Sequence, residues 1–278
     1  MMTYPKPWLA AVLGFLGQPL GMMYVARPGW AAVYFFGPML AGLTMFAIGL
    51  APLMGTLSLV VAIVAAIHAY RLSKRIPEGF QRPAYSRWYG MLGIAAVIVT
   101  FIFLVRAFLF EPFHIPAGSM RPNLQVGQHI IVGKWGYGHY GSFGITPFRA
   151  DITEPLIRGD IVVFDYPPNP ALQYIKRIIG LPGDVIVIRG NDLSINGQDI
   201  KRERLTDAAP GLEQYQESLD GNRYGILLDA KFSPAIRPIT RFPFIENCQY
   251  LKDELRCSVP AGHYFMLGDN RDNSQDSR

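Results

Sequence analysis

The chain has 278 residues and a formal net charge of +5; half of its residues are hydrophobic and 17% are charged. Soluble domains usually carry about 25% charged residues, so this composition excludes an ordinary cytosolic enzyme, a disordered chain and a small disulfide scaffold. Residues 1–88 hold seven basic residues and one acid, Glu78, while 89–278 nearly balance. The positive excess therefore belongs to the apolar third, where Lys and Arg report membrane orientation, and does not describe a nucleic-acid-binding domain.

Residues 7–26 contain no Asp, Glu, Lys or Arg, and neither do residues 28–70. As a helix, the second block would be about 64 Å long, roughly two bilayer cores. Gly49-Leu-Ala-Pro52-Leu-Met-Gly55 is a natural turn between two spans. Residues 88–105 form a last uncharged block, read as a span running to about Phe110. Three or four apolar segments in a chain this short are hard to bury as core helices, so residues 1–110 read as a membrane anchor. The basic loop 71–87 is expected on the cytoplasmic side, which puts everything after about Glu111 outside the cytoplasm. Segment 7–26, with three glycines and Pro19, suits a broken, re-entrant or interfacial helix as well as a span. Tyr24-Val-Ala26 is a poor small-x-small site for cleavage as a leader.

Residues 111–278 change to short β-branched runs broken by Gly, Pro, Asn and Asp. His129-Ile-Ile-Val132, Asp160-Ile-Val-Val-Phe164, Tyr174-Ile-Lys-Arg-Ile-Ile179, Asp184-Val-Ile-Val-Ile188 and His263-Tyr-Phe-Met-Leu267 are strand-like. Leu193-Ser-Ile-Asn196-Gly197 is a short strand entering a hairpin-type turn. The expected fold is N-terminal transmembrane α-helices followed by a mainly antiparallel β domain, a barrel or packed sheets. Segment 201–247 is more polar, has few clear strands, and looks like an insertion; a second lobe is expected near 201–260. Cys248 and Cys257 fall in this oxidising, extracytoplasmic part, which makes a disulfide plausible; a loop of that length contributes roughly 2.7 kcal/mol in the chain-entropy model.

Three segments concentrate unusual residues. Ile115-Pro-Ala-Gly-Ser119-Met-Arg-Pro122 holds a serine on a constrained loop just beyond the last apolar block. In Tyr174-Ile-Lys176-Arg177, alternation puts Lys176 on one face with Tyr174 and Ile178. An inward face would bury the amine, lower its pKa and make it a general base. The third segment, Gly268-Asp-Asn-Arg-Asp-Asn-Ser274-Gln-Asp276-Ser-Arg278, is densely polar, but Arg271 stands where a calcium loop needs a ligand. The run from Gly127 to Trp135 misses the spacing of a phosphate loop. The five histidines give no zinc spacing and no Ser/His/Asp order, so a Ser–Lys pair becomes the attractive reading, with no metal or cofactor implied.

Together these segments resemble bacterial type I signal peptidase, from Val105 to the C-terminus. The resemblance rests on Gly118-Ser119-Met120-x-Pro122, Arg158-Gly-Asp-Ile-Val-Val-Phe-Asp-Tyr166, Tyr174-Ile-Lys-Arg-Ile-Ile-Gly-Leu-Pro-Gly-Asp184 and the run from Gly268. Cys248 and Cys257 match the cysteine-bearing segment of proteobacterial members. The resemblance implies an inner-membrane serine endopeptidase, multi-pass, with its catalytic domain on the periplasmic side. Its partners would be the lipid bilayer and preprotein signal peptides with small residues at −1 and −3. Ser119 would be the nucleophile and Lys176 the base, with the Ser119 backbone N–H holding the oxyanion. Ser274 would hydrogen-bond and orient the Lys176 amine, Asp276 and Arg278 would form a supporting ion pair, and Asp269 would belong to the same network. Phe113, Ile115, Pro116, Met120, Leu124, Ile130, Tyr174 and Ile175 would surround shallow apolar pockets.

The chain departs from the family at two places. Many Gram-negative members have a serine at the position of Ala117, whose hydroxyl is a second oxyanion donor. Family members also continue past the Asp-Ser-Arg block, whereas this sequence stops at Arg278, as a fragment or a shortened protein. A catalytically impaired membrane-anchored binding protein is the alternative from another class. A self-cleaving Ser–Lys protease like the DNA-damage repressors is the alternative among enzymes, and the apolar blocks argue against it.

Overall fold

The computed structural model describes residues 4–48, 50–77, 79–229 and 243–278, and the chain divides into two compact units, 1–104 and 105–278. Helices of the first unit are α1 (Pro7–Leu16), α2 (Gln18–Tyr24), α3 (Pro28–Ala47) and α4 (Met54–Lys74); α5 (Trp88–Phe108) runs across the boundary. Segment 7–26 is a broken helix. Gly17 is extended, and Pro19 sits in the first turn of α2, where a missing N–H costs nothing. Ten residues of α1 span only about 15 Å. Small residues let it pack closely: a Cβ at Gly14 would come within 2.9 Å of the Ala65 carbonyl of α4.

Three or four apolar segments were expected to cross a membrane; among the described residues, α4 and α5 are the two helices long and apolar enough to do so. Gly49 of the expected turn lies outside the described residues, while α3 ends at Ala47 and a 3-10 turn, Ala51–Leu53, precedes α4. Both candidate helices leave large apolar side chains exposed, among them Val97 and Phe101 on α5 and Leu59 and Val64 on α4. That pattern suits lipid contact and does not suit the core helix of a soluble protein.

In the second unit every ladder between named strands is antiparallel. Phe110–His114 pairs with His129–Gly133, and His139–Ser142 with Ile145–Arg149. Gln173–Gly180 lies between Phe265–Leu267 and Ile161–Asp165. A five-stranded sheet runs Cys248–Tyr250, Glu254–Ser258, Val185–Arg189, Asp192–Ile195, Gln198–Asp199. Its Asn196-Gly197 turn has φ 51° and 80°, the left-handed pair that a two-residue hairpin needs. Cys248 and Cys257 are cross-strand partners joined by a disulfide.

The polar segment after 201 is richer in strands than its composition suggested. Arg202–Ala209, Leu212–Leu219 and Asn222–Asp229 form a three-stranded sheet; residues 230–242 lie outside the described residues. Its polar strand residues hid the alternation, but Pro210-Gly211 and Asp220-Gly221 were readable turn signals. Leu219 and Ile226 from this sheet pack in one core with Ile179, Ile186, Leu255 and Leu267. Burying each such side chain contributes about 1.5–3 kcal/mol. The segment thus shares the core of the β unit.

Candidate active site

Ser119 is the middle residue of a 3-10 turn, Gly118–Met120, flanked by extended Ala117 and Arg121. The terminal run holds this turn by its carbonyls. The Asn270 backbone N–H donates to Ser119 O at 2.9 Å, and Asn270 Nδ2 donates to Gly118 O at 3.1 Å. Gly268 is required by close approach, since a Cβ there would collide with Ser274 and come within 2.7 Å of the Ser119 carbonyl oxygen.

Lys176 lies on the central strand Gln173–Gly180, opposite Val162 of the adjacent strand, and is 4% exposed. Its Nζ is 2.9 Å from Ser119 Oγ, and Ser119 itself is buried. The amine also donates to its own neighbour's carbonyl, Ile175 O, at 3.1 Å. Burial pushes the Lys176 pKa down; Asp276 and Asp269 act through space to raise it and Arg278 to lower it, without reversing the direction.

The other expected supporting residues are placed unequally. Arg278 pairs with Asp276 at 2.8 Å, and Asp276 Oδ2 accepts the Gly268 N–H at 3.0 Å. Asp269 pairs with Arg177 at 2.7 Å and accepts a hydrogen bond from Asn123 Nδ2 at 2.6 Å. Ser274 departs from expectation. Its Oγ is buried and, among the described residues, has no hydrogen-bond partner, so the expected bond to Lys176 is not formed. The hydroxyl packs against Gly268 beside the Ser119 carbonyl, a position set by the terminal run's turn.

The apolar residues also divide. Leu124, Ile130, Tyr174 and Ile175 line a groove of about 880 Å³. Phe113 is half-buried and is the strand partner of Ile130. Ile115 and Met120 are core residues, 3% and 0% exposed, and Pro116 is exposed; none of these three lines that groove. Among the described residues no group of three His, Cys, Asp or Glu side chains could hold a metal ion.

Sequence reasoning missed several residues. Arg177 adjoins the lysine in sequence and yet faces Asp269; alternation alone could have separated their roles. Glu217 and Arg271 form a fully buried ion pair, with Arg271 Nη1 donating to Glu217 Oε1 at 2.8 Å and the Tyr224 hydroxyl donating to Glu217 Oε2 at 2.8 Å. Glu111 is buried under Lys134, Arg106 and Ser142, at 2.8, 3.1 and 2.6 Å. Burial alone would raise its carboxyl pKa; those donors hold it below the usual range. No local signal in the sequence pairs these residues.

A family model described as "Signal peptidase, peptidase S26" matches residues 86–278. The signal peptidase I of Pseudomonas fluorescens is 42% identical over 186 residues, covering 65% of this chain and 59% of that protein. The signal peptidase I of Pseudomonas aeruginosa is 38% identical over 193 residues with the same coverage, so the chain spans about three fifths of the length of these relatives. That of Rickettsia conorii is 35% identical over 198 residues, 67% of this chain and 70% of its own. A solved signal peptidase I from Enterococcus faecalis V583 aligns at 28% identity over 45% of this chain and 85% of that one, with a TM-score of 0.26, too low to carry an argument about the fold. With its serine, lysine and terminal blocks in the matched region, this chain belongs to the signal peptidase family, peptidase S26.

Proposed function

We propose that the protein is a membrane-bound serine endopeptidase that removes N-terminal signal peptides from exported preproteins, with Ser119 as nucleophile and Lys176 as general base. The observation that carries this reading is the 2.9 Å approach of Lys176 Nζ to Ser119 Oγ inside a buried site. A solvated lysine is charged at neutral pH and has no lone pair to accept a proton. Burial favours the neutral amine, and a neutral amine at this distance can take the hydroxyl proton as Oγ attacks the scissile carbonyl. The ammonium then returns that proton to the departing amine. A water repeats the sequence on the acyl-enzyme and frees the serine.

The developing oxyanion would be held by the Ser119 backbone N–H. It lies in the first turn of a 3-10 helix, where amides have no acceptor within the helix. Ala117, at the head of that turn, has no hydroxyl to add. The groove lined by Ile130, Tyr174 and Ile175 supplies apolar walls for the small residues at −1 and −3. Helices α4 and α5 would anchor the enzyme, with the basic residues between them on the cytoplasmic side and the β unit on the other.

The test is cleavage of a preprotein with an Ala-x-Ala site by the purified chain in detergent, beside Ser119→Ala and Lys176→Ala. Cleavage at that site by the parent alone supports the reading. A parent that binds the preprotein without cutting it favours a non-catalytic binding protein instead.

A further inference from the structure

We infer that Gln275 is a positioning residue: its side-chain amide ties the phenols of Tyr166 and Tyr174 to the terminal run and so fixes where Asp276 stands relative to Lys176. The inference rests on the Ser119–Lys176 reading above.

The geometry is compact. Tyr174 Oη donates to Gln275 Oε1 at 2.9 Å, and Gln275 Nε2 donates to Tyr166 Oη at 2.8 Å. The two rings are stacked, with centroids 4.1 Å apart and planes 10° from parallel. One amide thus satisfies both phenols, using its acceptor on one and a donor on the other. Burial and the neighbouring Tyr166 raise the Tyr174 pKa, which keeps that phenol protonated and able to donate.

What these contacts join decides their consequence. Tyr174 is two residues from Lys176 on the same strand face, and Lys176 Nζ lies 5.3 Å from the centre of the Tyr174 ring. Gln275 stands between Ser274 and Asp276. The limb 274–278 is held on one side by Ser277, whose N–H and Oγ both bond to the Met266 backbone at 3.0 Å. On the other side Gln275 reaches the strand that carries the lysine. Removing the amide would leave the limb held by Ser277, by the Gly268 N–H on Asp276 and by the Asp276–Arg278 pair, with no tie to the lysine strand, so that Asp276 can shift relative to Lys176.

The charged groups facing Lys176 are Asp276, Asp269 and Arg278, all from the terminal run, with the Tyr174 phenol and Ser119 beside it; Val162, its partner on the adjacent strand, carries no charge. Asp276 favours the ammonium. Its departure would lower the lysine titration, whereas Gln275→Glu keeps an acceptor for both phenols and adds a negative charge that raises it.

The experiment uses the full chain in detergent with 13C-labelled lysine, following the Lys176 ε-carbon titration in the parent, Gln275→Ala and Gln275→Glu. The expected result is opposite displacement of the two variants, down for alanine and up for glutamate. Preprotein cleavage by Gln275→Ala should show kcat reduced about tenfold, with KM raised as well because Gln275 and Tyr174 line the substrate groove. Tyr166→Phe, which keeps the stack and removes one partner, should shift in the same direction as alanine and by less. Titrations that stay at the parental position, or move the same way in alanine and glutamate variants, overturn the inference. Because the titration needs no turnover, an inactive parent would defeat the protease reading while the positioning claim still stood or fell on its own.

Discussion

Two buried cations in the β unit meet opposite fates. Arg271 is 5% exposed and lies against the Glu217 carboxylate, with Tyr224 completing the site. Lys176 is 4% exposed, yet its hydrogen-bond partners among the described residues are a neutral hydroxyl and a backbone carbonyl. Burial disfavours both charges. The coulombic pull of Glu217 overcomes it for Arg271, whose pKa moves up, while the distant carboxylates do not overcome it for Lys176, whose pKa moves down. Depth alone therefore does not make a base. A buried amine becomes reactive where the carboxylates are kept out of contact, and a buried guanidinium becomes structural where one is supplied.

Substitution to methionine at both positions gives the sharpest contrast. Lys176→Met should lower kcat by about 10²–10⁴ by removing the proposed general base. Its thermal unfolding, followed by circular dichroism, should match the parent or rise, because a buried amine with no carboxylate in contact leaves the core; a large loss of stability would mean the amine is a structural cation after all. Arg271→Met should do the reverse, destabilising by about 3–5 kcal/mol because Glu217 is left buried and unpaired. Denaturant unfolding measures it, and a neutral outcome would remove the structural half of the comparison.

The pH profile reads the same difference without mutation. In the proposed mechanism Lys176 acts when neutral, so kcat should rise with pH through a lysine pKa below the usual value of about 10.4. A profile flat between about pH 5 and 9 would contradict lysine as base. A third region serves as control: the disulfide edge of the five-stranded sheet. Replacing Cys248 and Cys257 together by alanine should cost about 2.7 kcal/mol of stability in the chain-entropy model, with the acid limb of the profile unmoved. The smallest effect is expected at the head of the serine turn. Ala117→Ser would add a hydroxyl where the chain has none and should raise kcat by about tenfold at most, less than the 10²–10³ that deletion of such a donor costs elsewhere. A fall in kcat would mean that the turn is already complete with alanine.

Much of this molecule is legible in short stretches of its sequence. The apolar blocks that become α4 and α5, the β-branched runs at 129–132 and 184–188, and the Asn196-Gly197 hairpin are each decided by a few adjacent residues. Ser119 and Lys176 stand out because their flanking blocks match a family, and not because a serine or a lysine is unusual. The strands between 202 and 229 were hidden because their polar residues weaken the alternation, although Asp220-Gly221 marked a turn. Ile115 and Met120, placed around the pockets by the resemblance, are buried, which residue type and position alone did not foretell.

Composition and periodicity settle which segments leave water and which extend, because both depend on neighbours along the chain. Charge partners are another matter. Glu217 meets Arg271 across 54 residues, Lys176 meets Ser119 across 57, and Gln275 meets Tyr166 across 109. Those meetings are fixed when separate sheets pack on one core, and so are their consequences. The sequence alone determined apolar helical blocks followed by a β domain with one candidate serine and one candidate lysine. Only the tertiary structure decided that the lysine is buried against the serine, that Ser274 does not reach it, and that Asp269 turns to Arg177. A side chain's pKa is set by whatever the fold brings within a few ångströms, which no local pattern encodes.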